Sequence, residues 1–173
     1  MNWLRIATFT QLLLTAYWLL IVCVPLGAWN RQPGHQAVLE SFWKGELDSG
    51  GIILTFAFAL PGLLFSFGWR EKIRLLMWFA LIFDGVWFGL QVWSWWVPYI
   101  FGASAQWQRT YERTFSRTLN FLPTFGKHLA PDAMHTFLQI FLLLAIVTAL
   151  RGLVPTLREV NPEAGEKRAD SGY

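Results

Sequence analysis

One carboxyl dominates the chemistry this sequence could do. Asp84 lies ten positions after Arg74, inside an otherwise apolar run from about 73 to 98. On a helix rising 1.5 Å per residue that is about 15 Å from the basic turn, near the middle of a bilayer. A charged Asp at that depth costs about 2.5–3.5 kcal/mol on insertion scales, so it must be neutral, paired or facing an aqueous cavity. Two roles fit: a proton-coupling or ligand-binding carboxyl, or a neutral acid hydrogen-bonding across helices as structural glue. Gln91 is seven residues on, nearly on the same helix face. Thr8, Gln11 and Thr15 make a polar stripe on the first apolar run, and His135 and Gln139 share a face of the last. Together these groups predict one polar cavity inside a helical bundle. The plain alternative is that each finds a backbone carbonyl or a neighbour, for roughly 0.6 kcal/mol per contact.

A second constellation lies between the apolar runs. The segment from Trp107 to Leu119 repeats an aromatic–polar–Arg–Thr unit three times, placing Trp107, Tyr111, Phe115 and Leu119 on one helical stripe. Arg109, Arg113 and Arg117 form another, two residues out of phase and so on the opposite face. This predicts an interfacial helix with aromatics down and arginines up. The arginines are candidates for a lipid phosphate or another anion, because guanidinium matches phosphate bidentately; the alternative is a solvated basic face. Of the three histidines only His135 sits in an apolar run, which argues against a haem held between helices. His135, His128 and Asp132 are close in sequence, but their spacing matches no metal motif, so no metal and no cofactor is assigned. Glycine-rich phosphate loops, nucleophile elbows and metalloprotease motifs are absent from the sequence.

The elements that must position these groups follow from the distribution of charge. Of the 173 residues 54% are hydrophobic and 14% charged, against about 25% charged in an average soluble domain. The charges are missing from four stretches, about 6–26, 51–68, 73–98 and 133–154, and crowd the gaps. The reading is an all-α integral membrane four-helix bundle of up-down topology, over residues 1–154, with short interfacial amphipathic helices on the outer side. The 11 Trp suit the membrane–water interface. Pro61-Gly62 predicts a kink in the second span. Gly85 and Gly89, four apart, predict close approach of another helix, within the bundle or in a homodimer. In the linker, Val38, Leu39, Phe42, Trp43 and Leu47 recur at helical spacing and predict a surface helix. Asp132 is placed to cap the fourth span, and 155–173 read as a disordered cytoplasmic tail.

Arg70, Lys72 and Arg74 in the tight 69–74 turn put that turn, and both termini, in the cytoplasm of what reads as a bacterial inner membrane. The basic residues form no block of nucleic-acid size. A lone Cys23 excludes an intrachain disulfide.

In size and span count the chain resembles the sterol-isomerase and sigma-2-receptor-like group, which implies an acid within the spans holding a cationic ligand or sterol; only Asp84 is available for that part. The resemblance covers topology rather than motif and assigns no family. The leading expectation is therefore a non-enzymatic membrane protein that binds a lipid or apolar ligand, or serves as a homodimeric or partner subunit. A proton-coupled transporter or permease subunit using Asp84 is the first alternative. A lipid-modifying membrane enzyme is the second, with Asp84 and His135 as acid–base groups.

Overall fold

The structure is a computed structural model describing residues 2–30, 44 and 49–160, with side chains described for 2–30, 44 and 55–154. The described residues are helical with no strands. Helix α1 is Trp3–Cys23, α2 Ser49–Arg70, α3 Arg74–Phe101, α4 Ala105–Thr114 and α5 Ala133–Val160. Among the described residues three helices are long and apolar enough to cross a membrane: α1, α3 and the Ala133–Val154 part of α5. The linker helix expected around Val38–Leu47 falls outside the described residues. So do positions 161–173 of the expected tail; α5 itself continues past 154 to Val160.

Helix α1 packs against both α2 and α5, α2 packs also on α3, and α3 on α5. Small residues make these contacts close: Ala7, Ala80 and Ala149 are wholly buried around Phe65 and Leu153. Midway along, Leu14, Trp87, Leu138, Leu142 and Ala145 form a second core layer. The opposite stripe of α3, Leu75, Phe79, Ile82, Val86 and Leu90, is exposed. A continuous outward apolar stripe of that length is the surface a helix shows to lipid rather than to water.

Local sequence explains how the helices start, bend and stop. Asn2 caps α1, its side chain accepting from Arg5 N at 3.3 Å. Asn30 folds back on the other end of α1 and donates to the carbonyls of Ile21 and Val24 at 2.9 and 2.8 Å. Helix α2 continues through Pro61. Gly62 is where α1 and α2 touch: a Cβ there would lie 2.7 Å from the Gln11 backbone oxygen and collide with the Thr15 hydroxyl.

The α2–α3 turn is a Schellman motif, with Ile73 N donating to Gly68 O at 2.7 Å and Lys72 N to Trp69 O at 3.4 Å. Lys72 occupies its left-handed position, φ +59°, where glycine is usual. In α3 a π-helical turn spans Val92–Trp96. Pro98, just beyond, has no N–H to return to the Ser94 carbonyl, and the ladder widens before that point.

Candidate functional site

Polar side chains inside the helices gather in three places. In the centre, Gln11 of α1 donates its Nε2 to Asp84 Oδ2 of α3 at 2.5 Å, and both residues are fully buried. Gly62 sets up this contact. By letting α1 lie directly on α2, it fixes the level and rotation of α1 at the turn that carries Gln11. Asp84 Oδ1 and Gln11 Oε1, the two remaining oxygens, are buried without partners. An ionised Asp84 would be a buried charge facing only an amide, an expensive arrangement. A neutral acid can instead turn its hydroxyl to the amide oxygen and close a two-bond ring with Gln11, which satisfies both oxygens.

The other polar residues of α1 are satisfied close by. Thr8 donates to Leu4 O at 2.9 Å, Thr10 shares a 2.8 Å hydrogen bond with Thr148 of α5, and Thr15 reaches Ala59 O of α2 at 3.5 Å.

The second place is one layer further along α3. There Trp96 Nε1 donates to Gln139 Oε1 at 2.6 Å, while Gln139 Nε2 and Gln91 Oε1 are buried without partners.

The third is the end of the bundle built by α4 and the start of α5. Asp132 is the N-cap of α5: its Oδ1 accepts from His135 N at 2.9 Å. The same oxygen accepts from His135 Nδ1 at 2.7 Å. This contact orients the ring and leaves Nε2 as its second nitrogen. Trp95 covers one face of the imidazole at 4.3 Å between centroids, and Phe115 meets it edge-on at 5.8 Å. Trp107, Tyr111, Leu129 and Ala103 complete this aromatic cap. Tyr111 donates its hydroxyl to Ala130 O at 3.0 Å, and burial pushes its phenol above the ordinary value, against a smaller opposing hydrogen bond from Asn120.

The aromatic stripe of α4 thus lies on protein, over Trp95 and His135. Arg109, Arg113 and Arg117 are exposed on the other side, as their two-residue offset requires. Leu119 leaves the stripe because the helix ends at Thr114.

Among the described residues no hydrogen bond joins the three places. Asp84 and His135 do not meet: His135 stacks on Trp95, eleven residues beyond Asp84 on α3, which is about 16 Å along the axis. His128 is held elsewhere, its Nδ1 at 2.8 Å from Tyr99 O, and no group of three metal-ligating residues occurs among the described ones. The glycine pair of α3 is open, with nothing in the chain within 4 Å of a Cβ built on Gly85 or Gly89.

Sequence reasoning missed two accessible concavities at opposite ends of the bundle. One, about 260 Å³, is lined by Trp93, Ser94, Pro98 and Trp107 at the α4 end. The other, about 310 Å³, is lined by Leu4, Trp69, Lys72, Arg74, Met77 and Leu153 at the α2–α3 turn. Neither is visible in one dimension, because each is assembled from separate elements. No protein family, curated protein or solved structure matches this chain.

Proposed function

We propose that this chain is a four-span, up-down membrane bundle, α2 being the fourth span, and that it holds an amphipathic lipid rather than catalysing a reaction. Both termini lie, in this reading, on the cytoplasmic side with the basic α2–α3 turn, and α4 lies at the outer interface. The observation that carries the reading is the engagement of Asp84 by Gln11. A buried carboxyl held by the amide of a neighbouring helix acts as a clasp between spans. Thr8 and Thr15 are likewise bonded to nearby backbone carbonyls, and Gln139 to Trp96. The accessible concavities, by contrast, lie at the ends of the helices, at headgroup depth, with apolar walls. Such sites suit a molecule with one polar and one apolar end.

Native mass spectrometry of the full chain released from mild detergent tests this. A reproducible lipid mass retained by both wild type and Asp84→Asn is expected. Finding no bound lipid at all would overturn the proposal.

A second reading rests on the same pair. The unpartnered Oδ1 and Oε1 leave room for one exchangeable proton between Asp84 and Gln11, which is the equipment of a proton-coupled carrier. Proteoliposome assays separate the two: the carrier reading requires proton-linked flux that Asp84→Asn abolishes with the fold intact.

A further inference from the structure

At the end of the bundle that carries the α2–α3 turn, two cations stand where local helix physics disfavours them. Lys72 occupies the left-handed position of the Schellman motif, φ +59°, a conformation that disfavours any residue with a Cβ and that glycine adopts freely. Arg74 is the first residue of α3, with Ile73 as N-cap and no acid in the first turn. A positive charge there opposes the positive end of the helix dipole. Two breaches of local preference two residues apart mark this turn, and sites of function are where such breaches collect.

Both side chains line the same 310 Å³ cavity, whose other walls are Leu4 of α1, Trp69 of α2, Met77 of α3 and Leu153 of α5. The cavity therefore has a cationic rim and an apolar floor contributed by all four long helices. Among the described side chains at this end cations outnumber acids: Arg5, Arg70 and Arg151 lie here, with Glu71 pairing with Arg70 at 3.5 Å.

We infer that this cavity is a binding site for the phosphate headgroup of an anionic glycerophospholipid. The inference rests on the lipid-holding reading above and names its ligand class and its place. Lys72 and Arg74 meet the phosphate, Arg74 by a planar fork of donors and Lys72 as a point charge. The upper acyl chain lies on Leu4, Met77 and Leu153, with Trp69 at the headgroup level. The apolar floor is what selects a lipid over free phosphate. The volume is at the lower end of small-ligand pockets, so the site takes a headgroup and the first part of a chain, the rest remaining in the bilayer. Basic pockets between helices near the cytoplasmic surface bind such headgroups for the same physical reason.

The experiment is native mass spectrometry of the full chain titrated with phosphatidylglycerol, with phosphatidylcholine of the same chains, and with inorganic phosphate. It compares wild type, Lys72→Gly, Arg74→Gln, the double variant and Arg70→Gln. Lys72→Gly relieves the backbone, so the variant folds at least as well as wild type. Phosphatidylglycerol is expected to bind in preference to phosphatidylcholine. Its affinity should fall about fivefold for each cation removed and about thirtyfold for both, while Arg70→Gln, which does not line the cavity, leaves it unchanged. Equal loss in Arg70→Gln would mean that general charge at this end is responsible, and would overturn the site. Competition by inorganic phosphate at the concentrations where the lipid binds would assign the site to free phosphate and overturn the lipid. Lipid bound with no preference for charge and no response to the variants would sink this inference but leave the lipid-holding reading standing. No lipid bound at all would end both.

Discussion

Replacing Asp84 and Gln11 separately and together tests the clasp most directly. The pair is fully buried and its one hydrogen bond is 2.5 Å long. Interhelical hydrogen bonds in membranes average about 0.6 kcal/mol and reach about 1.7 kcal/mol, and this pair belongs near the upper figure. Asp84→Leu removes the bond and leaves both ends of the Gln11 amide without a partner, which should cost about 2–3 kcal/mol. Gln11→Leu leaves the carboxyl alone and should cost about the same. The double variant has no orphan and should recover most of the loss, because replacing both members by apolar groups of similar shape is close to neutral. Asp84→Asn keeps an amide partner able to exchange two hydrogen bonds with Gln11, so it should lie within about 0.5 kcal/mol of wild type. Equilibrium unfolding in mixed micelles of mild and denaturing detergent, followed by tryptophan fluorescence, gives all four free energies. Additive single costs in the double variant, or Asp84→Asn as damaging as Asp84→Leu, would refute the clasp.

Other consequences concern the glycines and the α4 end. Gly62→Ala should destabilise by about 1–3 kcal/mol, since its Cβ meets backbone across the α1–α2 contact. Gly85→Ala and Gly89→Ala should be neutral or slightly stabilising in thermal melts, because nothing in the chain opposes them and alanine favours helix. If Gly85→Leu instead dissociates an oligomer in size-exclusion chromatography with light scattering, that face of α3 docks a second helix. Asp132→Ala removes both the helix cap and the imidazole bond, a loss of about 2 kcal/mol in the same unfolding assay. Asp132→Asn, whose oxygen still accepts both, should retain most of it.

The phenol of Tyr111 is pushed above its ordinary 10.0 by burial. Below that pH the cap is fully stable. As pH climbs past it the unfolded phenol ionises first, and stability drains away until the folded phenol ionises too. Tyr111→Phe should abolish this alkaline loss while giving up about 1 kcal/mol for the bond to Ala130, as read by unfolding at a series of pH values.

What the sequence could disclose was set by periodicity and by single-residue chemistry. The apolar runs that become α1, α3 and α5 are legible because span length is a direct count of residues. The capping role of Asp132 is legible because a cap depends only on neighbours in sequence. The Gln11–Asp84 contact depends on how two helices are rotated, which no single run encodes. A depth count comes close, since Gln11 is eight residues into α1 and Asp84 ten into α3, putting both near mid-span from the same end. The glycine signal pointed elsewhere. Gly85 and Gly89 have the familiar spacing and face open space, whereas Gly62, marked only as half of a proline kink, makes a close contact with α1. The two-residue offset of the α4 stripes correctly separated aromatics from arginines, but the surface receiving the aromatics is protein, made by Trp95 and His135. The left-handed Lys72 carries no sequence mark, since lysine is a rare choice for that conformation.

The π turn at Val92–Trp96 has a consequence for how this chain tolerates length changes. A π turn is an α-helix holding one residue more than its pitch accommodates. Everything beyond it on α3 is therefore turned by about 100° relative to an uninterrupted helix. Trp95, which stacks on His135, and Trp96, which donates to Gln139, sit within that added residue's reach. Deleting one residue between 92 and 96 would restore an unbroken ladder and rotate both tryptophans off their partners. The aromatic roof would be lost while the membrane-buried half of the helix stayed as it was. The α4 end of the molecule is thus a separable register, set by one residue's worth of backbone and free to diverge in length without disturbing the Gln11–Asp84 clasp.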